Sequence, residues 1–111
     1  MEDIFCRIVK KEVPSKIVFE NEKILVIEDI APKAPVHILI IPKKHISSAD
    51  ELKSEDKELV GEIFLIAPQI AKEKGIADTG YRVVMNKGKD AGQTVDHLHF
   101  HLLGGHKLPF A

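Results

Sequence analysis

The segment VDHLHFHLLGG, residues 95–105, carries histidines at positions 97, 99 and 101, with Leu98, Phe100 and Leu102 between them. The chain has six histidines in all, so half of them fall on one short ribbon. In a strand, alternate side chains share a face. The three imidazoles therefore project to one side, expected to be the solvent face, about 6.6 Å apart, and the three apolar groups to the other, under a covering helix. An outer face that merely happens to be histidine is the bland reading, but three in register call for a chemical role. Imidazole offers two. Histidines two apart on a strand can chelate zinc with a further ligand from elsewhere, which implies a metal hydrolase or a metal-binding module. Alternatively, a neutral ring nitrogen attacks phosphorus and leaves a covalent phospho-histidine that water cleaves.

The preceding loop, KGKDAGQT (87–94), favours the second chemistry. Gly88 and Gly92 permit close approach of main chain to an anion. Gln93 and Thr94 add an amide and a hydroxyl just before the ribbon, and Asn86 ends the previous strand facing the same gap. Lys87 and Lys89 are basic. A metal site more often recruits carboxylates or thiolates, whereas this loop is rich in neutral donors suited to an oxyanion.

The elements that must hold these groups are readable from patterning. Asp3 can cap a short amphipathic turn bearing Ile4, Phe5, Ile8 and Val9, ended by Pro14. IVFE (17–20) and KILVIEDI (23–30) read as a hairpin turning at Asn21-Glu22. Two prolines stiffen the connector Ala31-Pro32-Lys33-Ala34-Pro35, and VHILIIP (36–42) follows as an apolar strand. Leu59, Ile63, Ile66, Ala67 and Ile70 recur at helical spacing between about Ser54 and Lys74. Phe64 and Ala71 widen that stripe, Pro68 inside it should bend the helix, and Gly75 is a stop. Leu65 lies outside the stripe beside Glu58 and Glu62, which suggests a partner chain. YRVVMN (81–86) is a further strand. The expected fold is α+β, a single domain over residues 1–111: a five-stranded antiparallel sheet with one long helix on one face and a short N-terminal helix.

Composition narrows the function classes. Sixteen basic side chains against seventeen acidic ones argue against general affinity for nucleic acid or anionic membranes. Apolar residues at 44% and charged residues at 30% fit a globular domain. No apolar run approaches the ~18 residues of a spanning helix. One cysteine, Cys6, cannot form an internal disulfide, and the opening MEDIFCRIVKK does not read as a signal peptide. A cytoplasmic protein is expected.

HLHFHLL resembles the signature of the histidine triad (HIT) superfamily. IFCRIVKKEVPSKIVFE (4–20), DIAPKAPVHILIIPKKH (29–45), GYRVVMNKG (80–88) and GQTVDHLHFHLLGG (92–105) resemble its Hint-like nucleotide-binding branch, over nearly the whole chain. The resemblance implies a homodimer with a joined ten-stranded sheet, hydrolysing purine nucleoside 5′-phosphoramidates or aminoacyl-adenylate-like substrates through a nucleotidyl-histidine. It implies His99 as nucleophile, held in one tautomer by the carbonyl of His97. His101 donates to phosphate oxygens, His37 supports the triad, and Thr94 stands near the leaving group where serine is common. Asp29 grips the ribose, Asn86, Gly92 and Gln93 surround the phosphate, and Phe5, Ile8, Ile27 and Ile30 form the purine slot. Without the resemblance, Asp29 is equally a turn residue, His37 a core histidine, and those four apolar residues plain core. No cofactor is implied.

Two departures from the pattern stand out. Many bacterial relatives open with Cys-x-x-Cys, which holds zinc together with histidines; here those positions are Asp3 and Cys6. Asp3, Cys6, His45 and His97 make a mixed candidate set for a structural zinc. Relatives also often end in a tryptophan-proline tail reaching the partner's site, whereas this chain reads GGHKLPFA, with Phe110 as a reduced counterpart. The competing function classes are a zinc-dependent hydrolase using the His-x-His-x-His ribbon and a non-catalytic nucleotide-binding or scaffold protein.

Overall fold

The computed structural model describes residues 2–110. Helix α1 spans Ile4–Val9, and the strands are β1 Ile17–Glu20, β2 Ile24–Glu28, β3 Val36–Pro42, β4 Tyr81–Met85 and β5 Phe100–Gly104. Helix α2, Lys57–Glu73, lies between β3 and β4. All four strand pairings are antiparallel, in the order β1-β2-β3-β5-β4. This is the expected α+β sheet with its two helices, and β5 is inserted between β3 and β4. Among the described residues, no helix is long and apolar enough to cross a membrane.

The sheet has a core on each face because β2 and β3 carry apolar side chains on both of their faces. Ile24, Val26, Ile38 and Ile40 point to one side, where they meet Ile63, Ile66, Ala67 and Ile70 of α2 and Leu98, Phe100 and Leu102 of the ribbon. The alternate residues Leu25, Ile27, Leu39 and Ile41 point the other way, to Phe5 and Ile8 of α1. Each such burial is worth roughly 1.5–3 kcal/mol relative to exposure. Helix α2 ends as its sequence indicates. The amides of Gly75 and Ile76 bond to the carbonyls of Lys72 and Ala71, with Gly75 at φ +75°. That left-handed turn drops Ile76 into the core, 3% exposed. At the other end of the chain, the predicted cap forms: Asp3 Oδ1 accepts the Cys6 amide at 2.8 Å.

Two expectations are corrected. The histidine ribbon is a strand only from Phe100 onward. Before it, the Leu98 amide bonds to the Ile46 carbonyl at 2.6 Å, and the His97 carbonyl is taken by a side chain, so neither joins a ladder. The face carrying the histidines is also not a solvent face. Helix α1 covers it, and Phe5 meets the rings of His97 and His99 edge-on, at centroid distances of 5.8 and 4.9 Å. His97 is fully buried and His99 is 6% exposed.

Candidate active site

β3 and β5 bring His37 and His101 together. In the ladder His101 faces Leu39 and His37 faces Leu103, so the two rings are diagonal neighbours on one face. His37 Nε2 lies 2.9 Å from His101 Nδ1. His99 arrives on the same face from the segment before β5. Its Nδ1 lies 2.7 Å from the His97 carbonyl oxygen, an acceptor only, so Nδ1 carries the proton and Nε2 keeps its lone pair. This is the expected geometry for that pair.

Two cavities meet at these rings. A polar one of about 430 Å³ includes His37, Asn86, Gly92 and Lys33 in its wall. A more apolar one of about 370 Å³ is walled by Phe5, Ile8, Ile27 and Leu39, with Ile30 at its edge. Asp29, Thr94, His99 and His101 border both. The imidazoles of His99 and His101 thus stand where an apolar slot opens into a polar cleft.

Burial keeps the rings neutral. Desolvation lowers the pKa of His99 against the opposing pull of the His97 carbonyl. Desolvation, reinforced by His99 and His37, takes His101 down to about 4. His37 is lowered by desolvation despite the nearby Asp29 carboxylate.

Most of the residues singled out by sequence gather here, with two differences of placement. Gln93 does not face the cleft. Its Oε1 accepts the Gly88 amide at 2.9 Å, and its Nε2 donates to the carbonyls of Ser47 and Val95 at 2.8 and 3.0 Å. It clamps the glycine loop, and Gly92 holds that loop's left-handed turn at φ +88°. Ile30 is 98% exposed rather than buried in the slot, because β2 ends at Glu28 and the chain then turns outward. Asp29 is itself that turn's residue: Oδ1 accepts the Ala31 amide at 2.7 Å, and Oδ2 remains directed toward His37 at 3.4 Å. Its two readings are therefore compatible. Sequence reasoning missed Lys33, whose main-chain amide donates to His37 Nδ1 at 3.0 Å. The two flanking prolines were the only hint that this connector is held rigid.

Among the described residues, the three triad rings do not converge on one ligand point. His97 turns away from the cleft. Its Nε2–H donates to the Pro42 carbonyl at 2.8 Å, which leaves Nδ1 facing Asp3 Oδ2 at 3.1 Å and Cys6 Sγ at 3.6 Å. His45 Nδ1 lies 3.0 Å from the same carboxylate and 3.4 Å from the same sulfur. These four donor atoms lie within 4.8 Å of one another. A ring N–H fixed on a carbonyl, with the other nitrogen aimed at a carboxylate and a thiol, is the arrangement a metal-binding histidine adopts, with a cation taking the place of the proton between Nδ1 and Asp3. Burial works to raise the Asp3 pKa, but the Cys6 amide and His97 outweigh it and hold the carboxylate below its usual value. The set fits a zinc-type cation. Asp29, His37 and His101 also cluster, but that set does not fit. His37 Nδ1 is an acceptor, so Nε2 must carry a proton and has no lone pair for a metal.

A family model described as the HIT domain matches residues 10–108. The chain is 42% identical over 107 residues to the purine nucleoside phosphoramidase of Escherichia coli K12, covering 96% of this chain and 90% of that one. It is 47% identical over 105 residues to an uncharacterized HIT-like protein of Buchnera aphidicola, covering 95% and 92%. A HIT family hydrolase from Legionella pneumophila superposes with a TM-score of 0.96 at 42% identity, covering 98% of this chain and 97% of that one. A histidine triad protein from Clostridium difficile gives 0.93 at 44%, covering 100% and 99%. By the matched domain, the identity and the superposed fold together, this chain belongs to the HIT family.

Proposed function

We propose that this protein is a nucleotidyl hydrolase that cleaves purine nucleoside 5′-phosphoramidates, or mixed anhydrides of aminoacyl-adenylate type, to the nucleoside monophosphate. The observation that carries this is the bare Nε2 of His99, set by the His97 carbonyl at the junction of slot and cleft. The activity of the Escherichia coli relative supports the substrate class.

The purine occupies the slot of Phe5, Ile8 and Ile27, with Ile30 at its rim, and the ribose hydroxyls bond to Asp29 Oδ2. The phosphate lies against Asn86, Gly92 and Thr94. His99 Nε2 attacks phosphorus in line, so a P–N bond to the ring forms as the bond to the leaving amine breaks. The amine departs with a proton drawn from solvent in the cleft, where His101, held in place by His37, is the nearest group to guide it. Charge on the non-bridging oxygens is met by preorganised donors. Water then cleaves the phospho-histidine, releasing the monophosphate and restoring the neutral ring.

The test is intact-protein mass spectrometry after brief mixing with an adenosine phosphoramidate. A nucleotidyl adduct mapping to His99 is expected. His99→Asn should lower turnover at least roughly a thousandfold while retaining adenosine monophosphate binding. Label on another residue refutes the assignment, and no monophosphate release favours a non-catalytic binding protein.

We also propose that the chain pairs with a second copy through β4. Tyr81 and Met85 are exposed on this sheet edge, and Leu65 of α2 is 71% exposed. Phe64, half exposed on α2, packs edge-on against Phe100, the ladder partner of Met85, which makes the apolar strip continuous. A joined edge also removes a row of unpaired main-chain groups.

A further inference from the structure

The direction in which the protons of the histidine pair point is decided outside the rings. An amide N–H can only donate, so His37 Nδ1, 3.0 Å from the Lys33 nitrogen, must present a lone pair. A neutral His37 then carries its proton on Nε2. Two acceptors face that proton: His101 Nδ1 at 2.9 Å and Asp29 Oδ2 at 3.4 Å. The nearer is the histidine. With Nδ1 accepting, His101 holds its own proton on Nε2, the nitrogen left for the cleft it lines.

We propose that the main-chain amide of Lys33 is a positioning group for the reaction. It polarises the series Lys33 N–H, His37, His101, so that His101 offers a phosphate a donor rather than a lone pair. The inference rests on the phosphoryl chemistry proposed above. Reversing the polarity places the His37 proton on Nδ1 and a lone pair of His101 toward phosphate oxygens, which repels the charge the site must hold. The amide also forbids a doubly protonated His37, because Nδ1 cannot take a proton while it accepts one.

The connector is built to keep this amide in place. Its start is fixed by the Asp29 amide on the His37 carbonyl at 3.0 Å and by Asp29 Oδ1 on the Ala31 amide. Pro32 and Pro35 restrict the backbone on either side, so less entropy is lost in holding it. The Lys33 side chain is exposed and, among the described residues, donates a hydrogen bond only to the Ala31 carbonyl, at 3.5 Å; its charge also helps lower the His37 pKa, but it makes no bond to that ring. The polarising role therefore belongs to the main chain and is compatible with other side chains at this position.

The test is the tautomeric state of each ring, read from histidine 15N chemical shifts at neutral pH. In the wild type, His37 and His101 are expected with protons on Nε2, and His99 with its proton on Nδ1. Lys33→Ala keeps the amide and should keep these tautomers. Lys33→Pro deletes the N–H; His37 and His101 should then populate mixed tautomers, and kcat for an adenosine phosphoramidate should fall at least about tenfold, with KM changed far less. Should Lys33→Pro fail to fold, the α-hydroxy analogue of Lys33, which replaces the N–H by an ester oxygen, gives the same readout. A wild-type His37 protonated on Nδ1 overturns the proposal. So does a folded variant lacking the N–H that retains both tautomers and kcat. A wild type that has the expected tautomers but does not cleave the phosphoramidate overturns the proposed function and leaves the tautomer assignment standing.

Discussion

Replacing Gln93 with methionine distinguishes a residue that holds the phosphate loop from one that touches phosphate. The side chain makes three hydrogen bonds to the protein: it accepts from the Gly88 amide and donates to the Ser47 and Val95 carbonyls. Its main-chain N–H returns to the Gly88 carbonyl at 3.1 Å, so Gly88 and Gln93 close the neck of the loop in both directions. Methionine preserves the volume and removes the three side-chain bonds. At about 1 kcal/mol net for each, the ceiling is about 3 kcal/mol. Gln93 is half-buried, and water can re-pair part of what is lost, so about 2 kcal/mol is the expected loss. That corresponds to roughly a 10 °C fall in Tm for a domain of this size. Gln93→Glu should be worse, since it sets an anionic oxygen against two carbonyls. The assays are urea unfolding and steady-state cleavage of an adenosine phosphoramidate. Loss of stability together with a fall in kcat/KM is expected from both variants. A Gln93→Met protein with unchanged unfolding but a raised KM refutes the clamp and makes Gln93 a phosphate ligand.

The remaining predictions concern pH, assembly and metal. His101 titrates near 6.5 when unfolded and at about 4 when folded, facing His99, His37 and Asp29. The unfolded chain therefore binds the proton first, and stability falls as pH drops from 6.5 toward 4, by on the order of 1 kcal/mol at pH 5 once screening of this partly exposed ring is allowed for. Denaturation at pH 7 and pH 5 should show this slope in the wild type and a reduced one in His101→Asn; equal slopes contradict it. Leu65→Glu combined with Met85→Lys should convert a sedimenting dimer into a monomer, and a wild-type monomer at micromolar concentration defeats the joined-sheet reading. Purified protein should bind about one zinc per chain, and Cys6→Ala or His45→Ala should weaken that binding by one to two orders of magnitude. Equal zinc content in the variants removes Asp3, Cys6, His45 and His97 as the site.

The parts of this molecule that were legible in sequence are those where one residue type answers one local demand. Asp3 caps α1, the stripe of Ile63, Ile66 and Ile70 meets the sheet, Gly75 stops the helix, and Leu98, Phe100 and Leu102 alternate into the core. The insertion of β5 beside β3 was not legible, because it joins residues about sixty positions apart and leaves no local trace. The burial of His97 and His99 was missed for a related reason: the cover is Phe5, at the far end of the chain. Gln93 reads as a phosphate neighbour because it sits in the glycine loop just before the ribbon and matches a family position there. A flexible amide can point to either side of the loop, and here the carbonyls of Ser47 and Val95 claim it. Ile30 reads as core in any hydropathy profile, but the turn set by Asp29 turns it outward.

Proton placement was the least legible feature, and it is where the chemistry is decided. Three histidines with the same spacing acquire three different capacities from main-chain partners that no side-chain pattern reveals. A carbonyl, that of His97, leaves His99 with a bare Nε2. An amide, that of Lys33, acts through His37 to leave His101 with an Nε2–H. Another carbonyl, that of Pro42, takes the His97 Nε2–H and aims Nδ1 away from the cleft, toward Asp3 and Cys6. Desolvation supplies the condition common to the cleft pair, since His99 and His101 stay uncharged at neutral pH and can hold one proton and one lone pair each. Neutrality alone does not separate a nucleophile from a donor. The sign of the nearest main-chain dipole does, and that sign is set by how the chain is folded rather than by which residue stands at 97, 99 or 101.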